Sequence, residues 1–296
     1  MRPFFLLFLL PFSTIMTTFA PQKGKTTMKI ARILIIAAVS LTATACNSRR
    51  TANIDNILTE LSKQAEPTID DSLATMPNSD PSALILQRTA YKTCYNAKAR
   101  LPHWVAWKLT ADHINGSNQR KGIKFHEDED VPEPRATDAD YRSSGYDRGH
   151  ICPSGDNKWS EQAQLESFLM TNICPQLHNL NAGDWNEMEQ QCRRWAEKYG
   201  EIYIVSGPIL YKSRHKTIGR NKVVVPEAFF KVVLRMGNNP KAIGFVYKNA
   251  EGNRPKGDYV NSVDQVERIT GIDFFPTLPD DIEQRIEAEA SWEDWQ

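Results

Sequence analysis

The sequence has no excess of charge of either sign. Its 296 residues contain 36 lysines and arginines and 36 aspartates and glutamates, so that the formal net charge is +0. Such a chain has no overall field that attracts a polyanion, and a groove for one would have to be a local basic patch. No internal repeat is evident, and the length allows one large domain or two small ones.

The apolar segment from Ile33 to Leu41 is too short to cross a bilayer, which takes roughly 20 residues. It follows a basic stretch that begins at Met28, and Ala43 to Ala45 supply small residues directly before Cys46. This order is typical of an export signal. It also resembles a bacterial lipobox, in which the cysteine is lipidated. An ordinary signal peptide cleaved nearby is the alternative, and translation starts at Met1 or at Met28.

The export signal divides the chain into three regions. Residues 1–45 form the signal region, residues 46–85 a polar and flexible tether, and residues 86–296 the globular domain. We therefore expect an exported protein that a lipid on Cys46 attaches to the bacterial cell envelope. It would face the periplasm or lie on the cell surface.

Cysteine is scarce, with five residues in the chain. Processing at Cys46 would leave four, which is an even number in an oxidising compartment. Four cysteines allow three pairings, and sequence spacing does not choose among them. We favour a disulfide between Cys152 and Cys174, because each lies two residues beyond a candidate site residue, His150 or Asn172.

A structural zinc site is the alternative use of these side chains. Cys152, Cys174, His178 and Cys192 could supply its ligands, but they include no paired Cys-x-x-Cys motif. The spacing therefore disfavours zinc.

Short β-rich segments dominate the globular region. Among them lies a helix from Asp184 to Tyr199, in which apolar residues recur every three or four positions until Gly200. Ser262 and Gln265 make a capping box for another helix. Strands that follow strands, with few crossovers, predict an α+β fold with a mostly antiparallel sheet. The predicted strands are 91–95, 104–109, 146–150, 202–206, 223–225, 228–234 and 242–247; further helices are predicted at 161–170 and 280–290, and a long loop at 110–140.

The clearest chemical pattern runs from Tyr146 to His150. Tyr146, Arg148 and His150 occupy alternate positions, so that on an extended strand they share one face. A histidine can take a proton from water near neutral pH, and an arginine can hold a phosphate. Taken alone, a histidine on a strand is usually a structural hydrogen-bonding group.

A second polar segment offers carboxamide and carboxylate oxygens, which suit a hard ion such as Mg2+. Asn181 is the better direct ligand. If the helix that carries Glu189 already includes Asn181, eight residues place the two about 12 Å apart along its axis. Glu189 would then reach the ion through a water molecule. Taken alone, Asn181 is more often a helix cap, and Glu189 with Arg193 is more often a surface ion pair.

Together these residues closely resemble the DNA/RNA non-specific endonuclease family, whose active site is a ββα-metal (His-Me) finger. The matching segments are Asp147 to His150, Thr171 to Gln176 and Asn179 to Arg193, and the likeness extends over roughly residues 90 to 288. The resemblance implies an enzyme that hydrolyses phosphodiester bonds of DNA and RNA without sequence or sugar specificity and leaves 5′-phosphate ends. It implies Mg2+ as cofactor, with Mn2+ as a substitute.

The resemblance also implies the roles of the metal-site residues. His150 is expected to be the general base, Asn181 the Mg2+ ligand, and Glu189 a residue that binds a water of the metal. The expected partners are DNA and RNA as substrates, and a membrane that is contacted only through the lipid. The sequence indicates no oligomeric state.

Further residues are expected at the phosphate by the same resemblance. Arg148, Asn172 and Arg193 would assist there. The family has another arginine in the upstream loop, for which Arg120 is the candidate.

A catalytically silent nucleic-acid-binding lipoprotein is the alternative function. Degenerate relatives of that kind would be expected to lose the histidine or the metal-binding asparagine. Both His150 and Asn181 are present, and the sequence therefore favours the enzyme.

Overall fold

The computed structural model of the chain describes residues 84–250 and 252–296, which lie in one compact unit. The predicted signal region, Cys46 and the tether up to residue 83 lie outside the described residues. Within these ranges the strands are β1 (Leu84–Gln87), β2 (Lys92–Asn96), β3 (Leu101–Thr110), β4 (Asp147–His150), β5 (Ile173–Gln176), β6 (Glu201–Ile209), β7 (Thr217–Ile218), β8 (Val223–Val224), β9 (Ala228–Arg235), β10 (Lys241–Lys248) and β11 (Val260–Asn261). The helices are α1 (Ala111–Ile114), α2 (Asp138–Tyr141), α3 (Glu161–Glu166), α4 (His178–Ala182), α5 (Asp184–Tyr199), α6 (Val263–Thr270) and α7 (Asp280–Glu287).

An antiparallel sheet forms the centre of this unit. Its strand order is β1-β2-β3-β6-β9-β10-β11, and every neighbouring pair in it is antiparallel. Two short ladders lie outside the sheet, β4 with β5 and β7 with β8. The predicted α+β fold with a mostly antiparallel sheet is confirmed.

Alternation along the central strands divides the apolar side chains between the two faces of the sheet. In β3, Val105 and Trp107 pack in one core together with helix α5 and strand β5. Trp104 and Ala106 pack in a second core, together with helices α6 and α7. The sheet therefore separates a layer that carries α5 and the β4–β5 pair from a layer of C-terminal helices.

Helix α5 follows the apolar stripe that its sequence predicts. Trp185, Met188, Cys192 and Trp195 are buried on the sheet. Because these residues recur every three or four positions, they cover one face of the helix and leave a polar face on the other side. The chain leaves the helix at Gly200, which adopts a φ of 87°. The predicted bounds of this helix agree with the structure.

Two other predicted helices end earlier than expected. Helix α3 stops at Glu166, because the chain passes through a 3-10 turn at Met170–Asn172 and then enters β5. Helix α7 stops at Glu287 instead of residue 290. In both cases the structure shortens a helix whose start was predicted correctly.

The capping box of helix α6 is present as predicted. The Ser262 side chain accepts a hydrogen bond from the Gln265 backbone N–H, and the Gln265 side chain accepts one from the Ser262 backbone N–H.

The predicted loop at 110–140 is irregular apart from α1 and the start of α2. Among the described helices, none combines the length and the apolar character needed to span a bilayer.

Candidate active site

Strands β4 and β5 pair so that His150 stands at the end of a short ladder. Asp147 lies opposite Gln176, and His150 lies opposite Ile173. A Cβ atom at Gly149 would come within 2.0 Å of Gln176 Oε1. Gln176 is completely buried, so that a larger residue at position 149 would have to displace its side chain. Glycine at position 149 therefore permits the close pairing that presents His150.

The imidazole of His150 is half-buried between aromatic rings. The ring centroids of Phe168 and Phe125 lie 5.0 Å and 5.3 Å from that of His150. Burial, together with the nearby charge of Arg120, lowers the pKa of His150 to about 3, so that the ring is neutral at pH 7. Its Nε2 atom is buried and has no partner among the described residues. Nδ1 is then the nitrogen available to the cleft, and a neutral ring can accept a proton there.

Asn181 lies on α4, a helix that is separate from α5. Helix α4 ends at Ala182 and α5 begins at Asp184, with Gly183 between them in a non-helical conformation (φ −100°, ψ −113°). A Cβ atom on Gly183 would lie 2.4 Å from the carbonyl oxygen of Asn179, so that this bend requires glycine. The expected spacing of about 12 Å along one continuous helix therefore does not apply.

A carboxylate on β4 orients the side chain of Asn181. Asn181 Nδ2 donates a hydrogen bond to Asp147 Oδ2 at 2.9 Å. The Nδ1 atom of His178 lies 2.8 Å from the same oxygen. Because the amide nitrogen is held in this way, Asn181 Oδ1 is the atom left to coordinate a metal ion.

Glu189 reaches the site from helix α5. Burial raises the pKa of Glu189 to about 7, although the charges of Lys231 and Arg193 oppose this rise. Lys231 is itself buried, with its Nζ atom 4.5 Å from the ring centroid of Trp185 and 5.0 Å from that of Trp107. The aromatic faces stabilise this cation, which contributes positive potential at Glu189.

Arg193 is held by a buried carboxylate. Its Nη1 atom donates to Asp156 Oδ1 at 2.8 Å, and Trp107 Nε1 donates to Asp156 Oδ2 at 3.2 Å. A charge as deeply buried as that of Asp156 is stable only when it is paired and hydrogen-bonded. Within the described residues, Arg193 pairs with Asp156 and no ion pair joins it to Glu189. The alternative interpretation, in which Glu189 and Arg193 form a surface ion pair, is therefore wrong.

Arg148 is fixed by one acidic residue and two aromatic rings. Its guanidinium pairs with the Asp138 carboxylate, and Nη2 donates to the Asp138 carbonyl oxygen at 2.9 Å. The Cζ atom of Arg148 lies 5.6 Å from the ring centroid of Tyr141 and 5.7 Å from that of Phe125. These contacts present Arg148 to the cleft as a rigid positive group.

Arg120 comes from the long loop before α2 and is exposed. Its Cζ atom lies 5.4 Å from the ring centroid of Phe168, the ring that also contacts His150. The arginine expected from this loop is therefore beside the histidine.

These side chains converge on one cleft of about 390 Å³. Four of its lining residues are cationic and one is anionic, so that the cleft is locally basic in a chain with no net charge. This is the local patch that a polyanion would require. The charged lining residues are Arg120, Arg148, Lys158, Arg193 and Glu189, and the lining also includes His150, Asn181, Gln119, Ser154, Gln164 and Asn186.

Asn172 is the one predicted catalytic residue that does not line the cleft. Its side chain is completely buried, and its Oδ1 atom accepts a hydrogen bond from the backbone N–H of Cys152 at 2.9 Å. Its Nδ2 atom donates to the carbonyl oxygens of Cys152 and Ser167, both at 2.8 Å. No group remains with which it could contact a phosphate. Asn172 instead fixes the backbone that follows His150.

The Cys152–Cys174 disulfide is absent, and both thiols are free and buried. In the β4–β5 ladder, Cys174 lies opposite Gly149. Cys152 lies beyond the end of β4, where the chain bends. Its backbone N–H donates to Asn172 Oδ1, and its sulfur accepts a hydrogen bond from Asn157 Nδ2 at 3.4 Å. The Cys152 thiol therefore has a neighbour other than Cys174.

The zinc alternative is also not supported. Among the described residues, the one group of three or more His, Cys, Asp or Glu residues with mutually close ligand atoms contains Asp264, Glu267 and Glu287. It includes no cysteine, and it lies in the C-terminal helices instead of the finger.

The donor atoms of the cleft fit a hard divalent cation. Asn181 offers a carboxamide oxygen and Glu189 a carboxylate, and no sulfur ligand lines the cleft. Two oxygen donors form a sparse protein shell. A sparse shell suits Mg2+, which keeps several of its waters.

The sequence missed the residues that orient the site. Asp138, Asp147 and Asp156 hold Arg148, Asn181 and Arg193 respectively, and Lys231 lies close to Glu189. Asp147 belongs to a segment that carries the family resemblance, and Lys231 lies within the wider region over which the likeness extends, so that the resemblance is a signal for both. Asp138 and Asp156 lie 10 and 37 residues from the arginines they hold, and no local pattern connects them.

Comparison with known families identifies one that matches most of the chain. A family model described as DNA/RNA non-specific endonuclease matches residues 71–281. This match includes every residue that lines the cleft.

Several relatives are similar to this chain. The mitochondrial nuclease EXOG of Danio rerio is 38% identical over 210 residues, which cover 64% of this chain and 60% of the relative. Endonuclease G of Bos taurus is 32% identical over 66% of this chain and 70% of the relative. A nuclease of Nostoc sp. is 30% identical over 78% of this chain and 88% of the relative. The chain thus spans less than two thirds of the EXOG relative's length.

The fold is also similar to that of a solved structure. A crystal structure of an EndoG/EndoGI complex superposes with a TM-score of 0.67 at 27% identity, over 74% of this chain and 96% of that one. Sequence match, relatives and fold agree on the family. The chain belongs to the DNA/RNA non-specific endonuclease family.

Proposed function

We propose that the protein is a Mg2+-dependent endonuclease that hydrolyses phosphodiester bonds of DNA and RNA without sequence or sugar specificity. The observation that carries this proposal is the convergence of His150, Asn181 and Glu189 on one cleft that four cationic side chains line. A neutral base, oxygen donors and positive charge are the three requirements of phosphodiester hydrolysis.

His150 acts as the general base. Its neutral ring accepts a proton from the water that attacks phosphorus, and the bond from phosphorus to the 3′ oxygen breaks. The departing 3′ oxygen takes a proton from solvent water, so that the products carry a 5′-phosphate and a 3′-hydroxyl. A pKa of about 3 makes the free imidazole a weak base. A phosphate bound beside it adds negative charge, which raises the proton affinity of the ring when the substrate is in place.

The arginines neutralise the phosphate. Arg148 and Arg193 are held rigidly by Asp138 and Asp156, so that little side-chain freedom is lost when they bind. Arg120 is exposed and contributes from the loop. Contacts to the backbone phosphate need no 2′-hydroxyl and no particular base, which accounts for the lack of specificity.

Asn181 directly, and Glu189 through a water, would hold the Mg2+ ion, for which Mn2+ is the expected substitute. The bound ion supplies charge stabilisation to the phosphate and to the departing oxygen. Asn172 acts as a positioning residue, since its hydrogen bonds fix the chain directly after His150.

We further propose that the enzyme is exported and anchored to the bacterial envelope by a lipid on Cys46. The support is the signal pattern that precedes this cysteine, and the tether from 46 to 85 would separate the catalytic domain from the membrane. Metabolic labelling with a fatty-acid analogue should mark the wild-type protein and not Cys46→Ala. Label that persists in this variant would exclude the anchor at this residue.

The catalytic proposal is tested by digestion of supercoiled DNA and of RNA, with Mg2+ or with EDTA. Wild-type protein should cleave both only with the metal. His150→Ala should lose about 10²–10⁴-fold in rate while it keeps the wild-type circular dichroism spectrum. His126→Ala removes an imidazole that does not line the cleft and is the matched control. Undiminished cleavage by His150→Ala would refute the role of His150, and metal-independent binding without cleavage would favour the catalytically silent alternative.

A further inference from the structure

A cluster of carboxylates lies between the two C-terminal helices, on the face of the sheet that is opposite to α5. Asp264 and Glu267 project from α6, and Glu287 projects from the last turn of α7. One ligand oxygen from each of these three residues lies within 4.8 Å of the other two. The cluster therefore has the spacing of a coordination shell.

The burial of Glu287 is a second observation, independent of the clustering, that points to a bound cation. Its side chain is only 3% exposed, and its Oε1 atom has no hydrogen-bond partner within the described residues. A buried carboxylate oxygen without a partner costs free energy that an ordinary surface cluster does not incur. It indicates that a positively charged ligand completes this group.

No side chain of the described region supplies that positive charge. None of the three carboxylates forms an ion pair there. The charged groups that act on Glu287 are all carboxylates: the other two of the cluster, together with Glu283 and Asp273. Burial and this repulsion raise the pKa of Glu287 to about 9 in the metal-free protein. A divalent cation would remove the repulsion.

The ligand set favours one of the two common hard cations. Three carboxylates from two helices supply oxygen ligands from the protein itself. Ca2+ takes six to eight oxygen ligands in flexible geometry, whereas Mg2+ requires near-ideal octahedral geometry and dehydrates reluctantly. The cluster therefore suits Ca2+, and waters would complete its shell.

We propose that Asp264, Glu267 and Glu287 form a structural Ca2+ site that joins helix α6 to helix α7, apart from the catalytic cleft. Ile286, next to Glu287, packs in the same core as Val263 and Val266 of α6. The ion would thus stabilise the C-terminal layer against the sheet. With three carboxylates and several waters, the expected Kd is on the order of 10⁻⁴–10⁻³ M.

The test is carried out on the full chain with Asn181→Ala, so that calcium in the cleft does not obscure the result. At about ten times Kd, calcium should raise the Tm by about 3–5 °C relative to EDTA. Titration calorimetry should give one ion per chain. Adding Glu287→Gln should remove both signals. Adding Glu289→Gln, which removes the same charge from an exposed position two residues away, should leave both.

The EDTA measurement separates metal binding from simple damage to the fold. Without calcium, Glu287→Gln should melt no lower than its parent, because glutamine is always neutral and is not repelled by the neighbouring carboxylates. If this variant does not fold, Asp264→Asn provides the same test from a half-buried position. The proposal is overturned if the calcium response survives Glu287→Gln or Asp264→Asn. It is equally overturned if the parent shows no response at about 10 mM calcium, well above the expected Kd.

Discussion

The amide of Asn181 donates a hydrogen bond of 2.9 Å to the carboxylate of Asp147, across 34 residues of chain. This bond turns the Asn181 oxygen toward the cleft. Residues that orient a metal ligand typically contribute about 10- to 100-fold to metal affinity. We expect Asp147→Ala to raise the Mg2+ concentration for half-maximal cleavage by about that factor, with a smaller loss of rate at saturating Mg2+.

The control is Asp281→Ala, which removes an exposed carboxylate from helix α7. It should need the same Mg2+ concentration for half-maximal cleavage as the wild type. A Mg2+ dependence of Asp147→Ala that equals the wild type would show that the hydrogen bond does not position the ligand.

The bend at Gly183 should tolerate no side chain. A Cβ atom there meets a backbone carbonyl oxygen at 2.4 Å, and the only relief is displacement of helix α4, which carries Asn181. We expect Gly183→Ala to lose about 1–3 kcal/mol of stability and most of its cleavage activity. Gly257→Ala, whose Cβ would have its nearest neighbour at 3.8 Å, should be neutral in denaturation and activity measurements. Full activity in Gly183→Ala would mean that α4 does not need this geometry.

Cys152, Cys174 and Cys192 should remain reduced although the chain is expected in an oxidising compartment. Each is buried, and burial raises the pKa of the Cys192 thiol to about 12 and those of Cys152 and Cys174 well above the ordinary value. Alkylation in denaturant should therefore label these three cysteines equally with and without prior reduction, as measured by peptide mass spectrometry. A cross-linked peptide that contains Cys152 and Cys174 would show that the two thiols pair.

Asp140 should contribute a pH-dependent part of the stability. Burial opposes ionisation of its carboxyl, but hydrogen bonds from Asn221 and Thr137 outweigh burial and lower the pKa of Asp140. A carboxyl with a lowered folded-state pKa stabilises the protein above its unfolded pKa of about 3.9, and this contribution is lost as the pH falls through the folded value.

We expect Asp140→Asn to be less stable than the wild type by on the order of 2 kcal/mol at pH 7. The difference should shrink in denaturant titrations below about pH 4. A difference that stays constant over this range would mean that the charge of Asp140 is not the stabilising feature.

Much of the fold could be predicted because its signals are local. The stripe from Trp185 to Tyr199 defines helix α5, and the β-branched segments at 202–206 and 228–234 lie in the central strands. The alternation of Arg148 and His150 correctly places both at the cleft. The separate short helix that carries Asn181 was not predicted, because the close approach of Gly183 to Asn179 becomes visible only when the chain is folded.

The sequence by itself determined which side chains are available for chemistry, since the histidine, the asparagine and the arginines stand in motifs of short range. Only the tertiary structure decided their partners. It paired Arg148 with Asp138 and Arg193 with Asp156, enclosed Asn172 in backbone hydrogen bonds, and kept Cys152 from Cys174. The physical reason is that such contacts depend on strand register and on packing between residues far apart in the chain, which local pattern does not encode.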